Sequence, residues 1–103
     1  MKNLSQHDWV AALLQQQEAK ILDVRTLPEL EEGKIPEAIN LDILNPQDFM
    51  EGIEKLDKSS HYFVYCKAGS RSAQACAIMQ QLGFEHTYNL EGGFSEWNGA
   101  IEY

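Results

Sequence analysis

The chain has 103 residues, 44% of them hydrophobic, and sets sixteen acidic side chains against eight basic ones for a net charge of −8. That length suits one domain over residues 1–103, with a core large enough to need no metal or disulfide staple. The acidic balance argues against a nucleic-acid partner and against an anionic membrane surface, since both call for a basic face.

The longest apolar run near the start, Trp9 to Leu14, is shorter than the hydrophobic region of a signal peptide, and no stretch approaches a membrane span. The expected location is the cytoplasm. Ser5 and Asp8 have the spacing of a capping box, with Asp in place of Glu. Trp9, Val10, Leu13 and Leu14 then mark the apolar face of a helix of about three turns. The stretch KILDV, Lys20 to Val24, predicts a short buried strand, and Asp23 and Arg25 sit where it ends. TLPELEEGK holds a short helical turn closed by Gly33, and a second strand is expected around Ala38 to Leu41.

Asn45 before Pro46 is a helix start, an Asx cap followed by proline at the first helical position. Phe49, Ile53 and Leu56 give that helix its apolar face. HYFVYC, His61 to Cys66, is continuously apolar and predicts a central strand. A helix follows from about Ser70 to Leu82, with Ala75, Ile78, Met79 and Leu82 on one face and Gly83 ending it. HTYNL is a further strand, EGGF a turn, and FSEWN a final helical turn. This alternation predicts an α/β fold: a mostly parallel central sheet of four to five strands with helices on both faces. Sites in such sheets form at the carboxyl ends of strands, where Cys66, Asp23 and Arg25 fall.

The loop Cys66-Lys67-Ala68-Gly69-Ser70-Arg71 joins a strand to a helix start. The first amides of a helix have no partner within it, so the loop can curl them into an anion cradle aided by the helix dipole. Ala68, Gly69 and Ser70 are small enough to let a ligand approach the backbone, and Gly69 can take a positive φ. Lys67, Arg71 and the dipole favour a Cys66 thiolate, below the ordinary thiol pKa of ~8.5. The loop thus pairs a nucleophilic sulfur with an anion cradle. The bland alternative, Cys66 as a small buried filler, fits poorly with a following loop of glycine and arginine. Cys76, flanked by alanines within the helix, reads as packing, and the intervening loop and helix leave a Cys66–Cys76 disulfide out of reach.

With these residues in place, the chain resembles the single-domain rhodanese family of sulfurtransferases over nearly its whole length. ILDVRTLPELEEGKIPEAINL is similar to the family's first signature, VYCKAGSRSAQA to its active-site loop, and GFEHTYNLEGGFSEW to its closing signature. Lys34 and Glu37 depart from that pattern, standing where the family often has His and Gly. The resemblance implies that Cys66 takes the outer sulfur of a small anionic donor such as thiosulfate, becomes a persulfide, and passes the sulfur to cyanide, a thiol or a protein thiol. It implies that the amides of Lys67 to Arg71 cradle the persulfide and that the Lys67 and Arg71 side chains attract the donor.

The spacing Cys-x4-Arg, with Tyr65 before the cysteine, is one residue shorter than that of phosphatases resembling this fold, and a tighter loop suits sulfur better than a tetrahedral oxyanion. His7, His61 and His86 show no metal-ligand spacing, so no metal, cofactor or base histidine is expected. Asp23 and Arg25 read as a structural ion pair, and Phe94 and Trp97 as core. The competing functions are a persulfide carrier or docking module with little small-molecule turnover, favoured by the acidic surface, and a redox sensor, which needs Cys76 to reach Cys66.

Overall fold

A computed structural model describes residues 1–103. Five strands, β1 (Lys2–Leu4), β2 (Ala19–Asp23), β3 (Ile39–Asn40), β4 (His61–Tyr65) and β5 (His86–Leu90), form one sheet in the order β1-β5-β4-β2-β3. Every pairing is parallel. The helices are α1 (Gln6–Gln15), α2 (Leu27–Leu30), α3 (Pro46–Glu54) and α4 (Ser70–Gln81), with a closing 3-10 turn at Phe94–Glu96.

The central strand explains the layers. Successive side chains of a strand point to opposite faces, and β4 is apolar on both. Tyr62 and Val64 join Leu22, Phe49, Ile53, Ala75 and Met79 beneath α3 and α4. Phe63 and Tyr65 join Trp9 and Leu90 beneath α1. Trp9 is fully buried and packs edge-on against Phe63 at 5.7 Å and Trp97 at 5.9 Å between ring centroids. Trp97 is therefore part of the core's margin, as expected.

The caps follow the sequence. The Asp8 amide donates to the Ser5 hydroxyl at 3.3 Å, and the Asp48 amide to the Asn45 side chain at 3.5 Å. Two features differ from expectation. The N-terminal strand β1 has no apolar period and too few residues to announce itself; it exists because it pairs with β5, Lys2 to Leu4 against Tyr88 to Leu90. Leu14 lies off the buried stripe of α1 and is 80% exposed.

The two departures in the first signature have local solutions. Lys34 forms an isolated bridge with Glu102, closed by two backbone hydrogen bonds of 2.8 Å. Glu37 takes φ 69°, the one residue other than glycine in the left-handed region. A side chain there carries strain of about 1–2 kcal/mol. Glu37→Gly should raise the stability by roughly 1 kcal/mol, read as a higher urea midpoint at unchanged slope.

The histidines are less scattered than their sequence positions suggest. Strand register sets His61 beside His86, and their rings stack at 4.0 Å and 7°. The Tyr88 hydroxyl lies 2.9 Å from His61 Nδ1. Partial burial, then the nearby His86 ring, lower the His61 pKa below its ordinary value. The unfolded chain therefore takes up this proton at a higher pH than the folded one. Stability is complete above the unfolded value near 6.5 and falls as the pH drops below it. The urea midpoint should decline between pH 7 and 5, and His86→Asn should make the decline shallower.

Candidate active site

Strand order places the crevice. From β2 the chain moves outward to β3, whereas from β4 it moves the other way to β5. The carboxyl ends of β2 and β4 lie where these connections diverge, the usual position of a ligand site in an open parallel sheet. Cys66 follows β4 directly and is 1% exposed.

The loop from Cys66 to Arg71 folds back on its own sulfur. The Gly69 amide donates to Cys66 Sγ at 3.1 Å, and the Ser72 hydroxyl lies 3.4 Å from it. Gly69 has φ 106° and serves as the N-cap of α4, a conformation that aims its amide inward. Burial alone would push the thiol up. Hydrogen bonds from the Ser72 hydroxyl and amide, then the Gly69 and Ala68 amides, outweigh burial and hold Cys66 below its ordinary value. The arrangement stabilises a thiolate at the start of a twelve-residue helix.

Ser72 is the residue that the sequence reading missed. Its hydroxyl also lies 3.1 Å from the Gly69 carbonyl. One hydroxyl proton cannot fully serve both acceptors, so an ionised sulfur draws it away from the carbonyl. Its sequence signal was a hydroxyl in the first helical turn, three residues after the capping glycine. Cys76 contrasts with Cys66. It is fully buried, its thiol is pushed up to about 12 by burial, and both cysteines are free.

The predicted basic side chains both meet carboxylates, Arg71 tightly and Lys67 loosely. Both terminal nitrogens of Arg71 contact the Glu29 carboxylate at 2.8 Å. Lys67 Nζ lies 3.6 Å from Glu32 Oε1. Glu29 is itself fixed by the Thr26 amide at 3.0 Å and hydroxyl at 3.1 Å, forming the capping box of α2. The Arg71 hydrogen bonds hold its carboxyl down to about 2, against the opposing effect of burial. Ala68 and Ser70 are exposed, and Ser70 is the first residue of α4. The cradle therefore consists of backbone amides and one hydroxyl.

Asp23 and Arg25 form the structural pair expected of them, both fully buried at 2.7 Å. Tyr65 donates to Asp23 at 2.6 Å, and Phe94 covers Arg25 at 4.3 Å. From the other side, the Gly92–Gly93 turn braces the loop. The Phe94 amide donates to the Cys66 carbonyl and the Ser95 amide to the Lys67 carbonyl, each at 2.9 Å. A Cβ on Gly93 would sit 2.6 Å from the Cys66 and Lys67 carbonyl oxygens. Gly93→Ala should therefore cost about 2–4 kcal/mol. Gly83→Ala, strained at φ 96° but with its nearest neighbour 3.7 Å away, should cost about 1 kcal/mol. Urea denaturation of both variants checks the contrast.

The rhodanese-like domain family matches residues 6–100. A sulfurtransferase of Allochromatium vinosum is 37% identical over 78 residues, covering 75% of this chain and 69% of its own. The thiosulfate sulfurtransferase GlpE of Pseudomonas savastanoi pv. phaseolicola is 33% identical over 90 residues, covering 87% of this chain and 82% of its own. The crystal structure of SSP1007 from Staphylococcus saprophyticus superposes with a TM-score of 0.84 at 28% identity over 100% of both chains. A parallel sheet, a cysteine cradled at the carboxyl end of its central strand and a match over nearly the full length lead to one conclusion: this chain belongs to the rhodanese-like domain family.

Proposed function

We propose that this chain is a sulfurtransferase that moves sulfane sulfur from an anionic donor such as thiosulfate to a thiol, a protein thiol or cyanide through a persulfide on Cys66. The observation that carries the reading is the Gly69 amide at 3.1 Å and the Ser72 hydroxyl at 3.4 Å from a buried Cys66 sulfur. The Cys66 thiolate attacks the outer sulfur of thiosulfate, one S–S bond forms, the bond to the sulfonate sulfur breaks, and sulfite leaves with its electron pair. The two charges of thiosulfate depart on sulfite, and the single thiolate charge moves outward to the terminal sulfur of the persulfide. The loop amides from Lys67 to Arg71 cradle that sulfur. An acceptor thiolate then attacks it, and Cys66 leaves as the thiolate that Gly69 and Ser72 already support.

Two free thiols suit a reducing compartment such as the cytoplasm. No helix is long and apolar enough to cross a membrane. A net charge of −8 opposes nucleic-acid binding. The carboxylate partners of Lys67 and Arg71 favour a second reading, a persulfide carrier that loads once and turns over slowly with small donors. Intact-protein mass after incubation with thiosulfate should rise by one sulfur atom and return on adding cyanide. Cys66→Ser should abolish the gain, and Cys76→Ser should retain most of it. Equal loss in both variants would rule out a one-cysteine mechanism. Fast loading with slow steady-state turnover would favour the carrier.

A further inference from the structure

All three cations around the Cys66 crevice carry carboxylate partners: Arg25 with Asp23, Arg71 with Glu29 and Lys67 with Glu32. The first pair is wholly buried. The second is gripped through both guanidinium nitrogens, and Glu29 is anchored in turn by Thr26. The Cys66 sulfur and then Asp42 add weaker favourable fields at Arg71, behind that of Glu29. Only the third is loose: one contact of 3.6 Å between side chains 50% and 53% exposed. Lys67 is thus the single cation that a donor could recruit, and Glu32 is its competitor.

The groups that remain are the amides and the Ser72 hydroxyl, and they converge on the Cys66 sulfur itself. They compensate the one charge of a thiolate or persulfide. A monoanionic donor brings one further charge and a dianionic donor two, and no unpaired cation receives them.

We infer that Glu32 is a specificity-determining residue: by occupying Lys67 it filters donors by charge, so that Cys66 takes sulfur more readily from monoanionic sulfane donors than from dianions of the thiosulfate type. This rests on the sulfur-transfer reading above and narrows its donor class. Glu32 acts through Lys67 and through its own field, and touches no reacting atom.

Thiosulfate and benzenethiosulfonate are a matched pair of probes, a dianion and a monoanion. In each, Cys66 attacks the outer sulfur, one S–S bond forms and one breaks, and sulfite or benzenesulfinate leaves with the electron pair. A charge on the protein acts twice as strongly on the dianion, so the fold-change for thiosulfate should be the square of that for benzenethiosulfonate. In low salt, Glu32→Gln should raise the second-order loading rate about fourfold for thiosulfate and about twofold for benzenethiosulfonate. Lys67→Gln should lower both, thiosulfate more. Both gains should collapse in about 1 M potassium chloride, where the screening length is about 3 Å. The urea midpoint of Glu32→Gln should match that of the parent, since the pair is exposed.

Equal gains for the two donors, gains that survive high salt, or no gain at all would overturn the charge filter and leave sulfur transfer by Cys66 standing. If neither donor adds sulfur to Cys66 in any variant, both readings fall together.

Discussion

The loops around Cys66 depend on one buried ion pair. Asp23 and Arg25 lie two residues apart at the end of β2, both without solvent contact. Asp23 accepts from the Arg25 amide and side chain and from the Tyr65 hydroxyl. Arg25 spends its remaining donors on the carbonyls of Glu29 and Gly33. Burial works against the Arg25 charge, but Asp23 outweighs it and the guanidinium pKa is raised. A buried pair is tolerable only when its hydrogen-bonding groups are met in this way, and losing one partner typically costs about 3–5 kcal/mol. Burial and the Asp23 carboxylate together push the Tyr65 phenol up, so it stays protonated and keeps donating.

This cluster gives the segment after β2 its shape, and that shape reaches the cysteine. Arg25 holds the Glu29 and Gly33 carbonyls, which fixes the short helix α2. The helix presents the Glu29 carboxylate to Arg71. The Tyr65 hydroxyl also receives the Ile35 amide at 3.1 Å, tying the following turn to β4 one residue before Cys66. Asn40 donates to the carbonyls of Asp23 and Arg25, each at 2.9 Å, and closes the far side. The Cys66 sulfur therefore rests beside a frame of hydrogen-bonded polar groups, which suits a site whose geometry must persist through a change of charge on one atom.

The electrostatics of that frame differ from what composition suggests. Two basic residues in the cysteine loop imply a cationic mouth. In the fold, each meets a glutamate from the α2 segment, and the positive character that remains belongs to the backbone. Amide dipoles and a helix terminus act over a few ångströms and favour charge on the sulfur itself.

The central strand, the loop glycine able to take a positive φ, the helix caps at Ser5 and Asn45 and the cysteine at the strand's carboxyl end were legible in the sequence, because each is a local pattern: an apolar run, a small residue at a turn, a hydroxyl or asparagine before a helix. The ion pair of Asp23 and Arg25 was legible for the same reason, its members being two positions apart. Strand β1 was not, since three residues with no apolar alternation become a strand only when β5 offers its edge. Nor was the role of Gly93, whose missing side chain matters because the Cys66 and Lys67 carbonyls lie against it. The partners of Lys67 and Arg71 were hidden most deeply. Glu29 and Arg71 stand 42 positions apart, and although Thr26 and Glu29 have the spacing of a capping box, nothing along the chain pairs Glu29 with Arg71 or Glu32 with Lys67. Local rules of conformation and capping placed the sulfur and its amides in the sequence itself. Which charges face that sulfur was decided only when the parallel sheet brought the ends of β2 and β4 together.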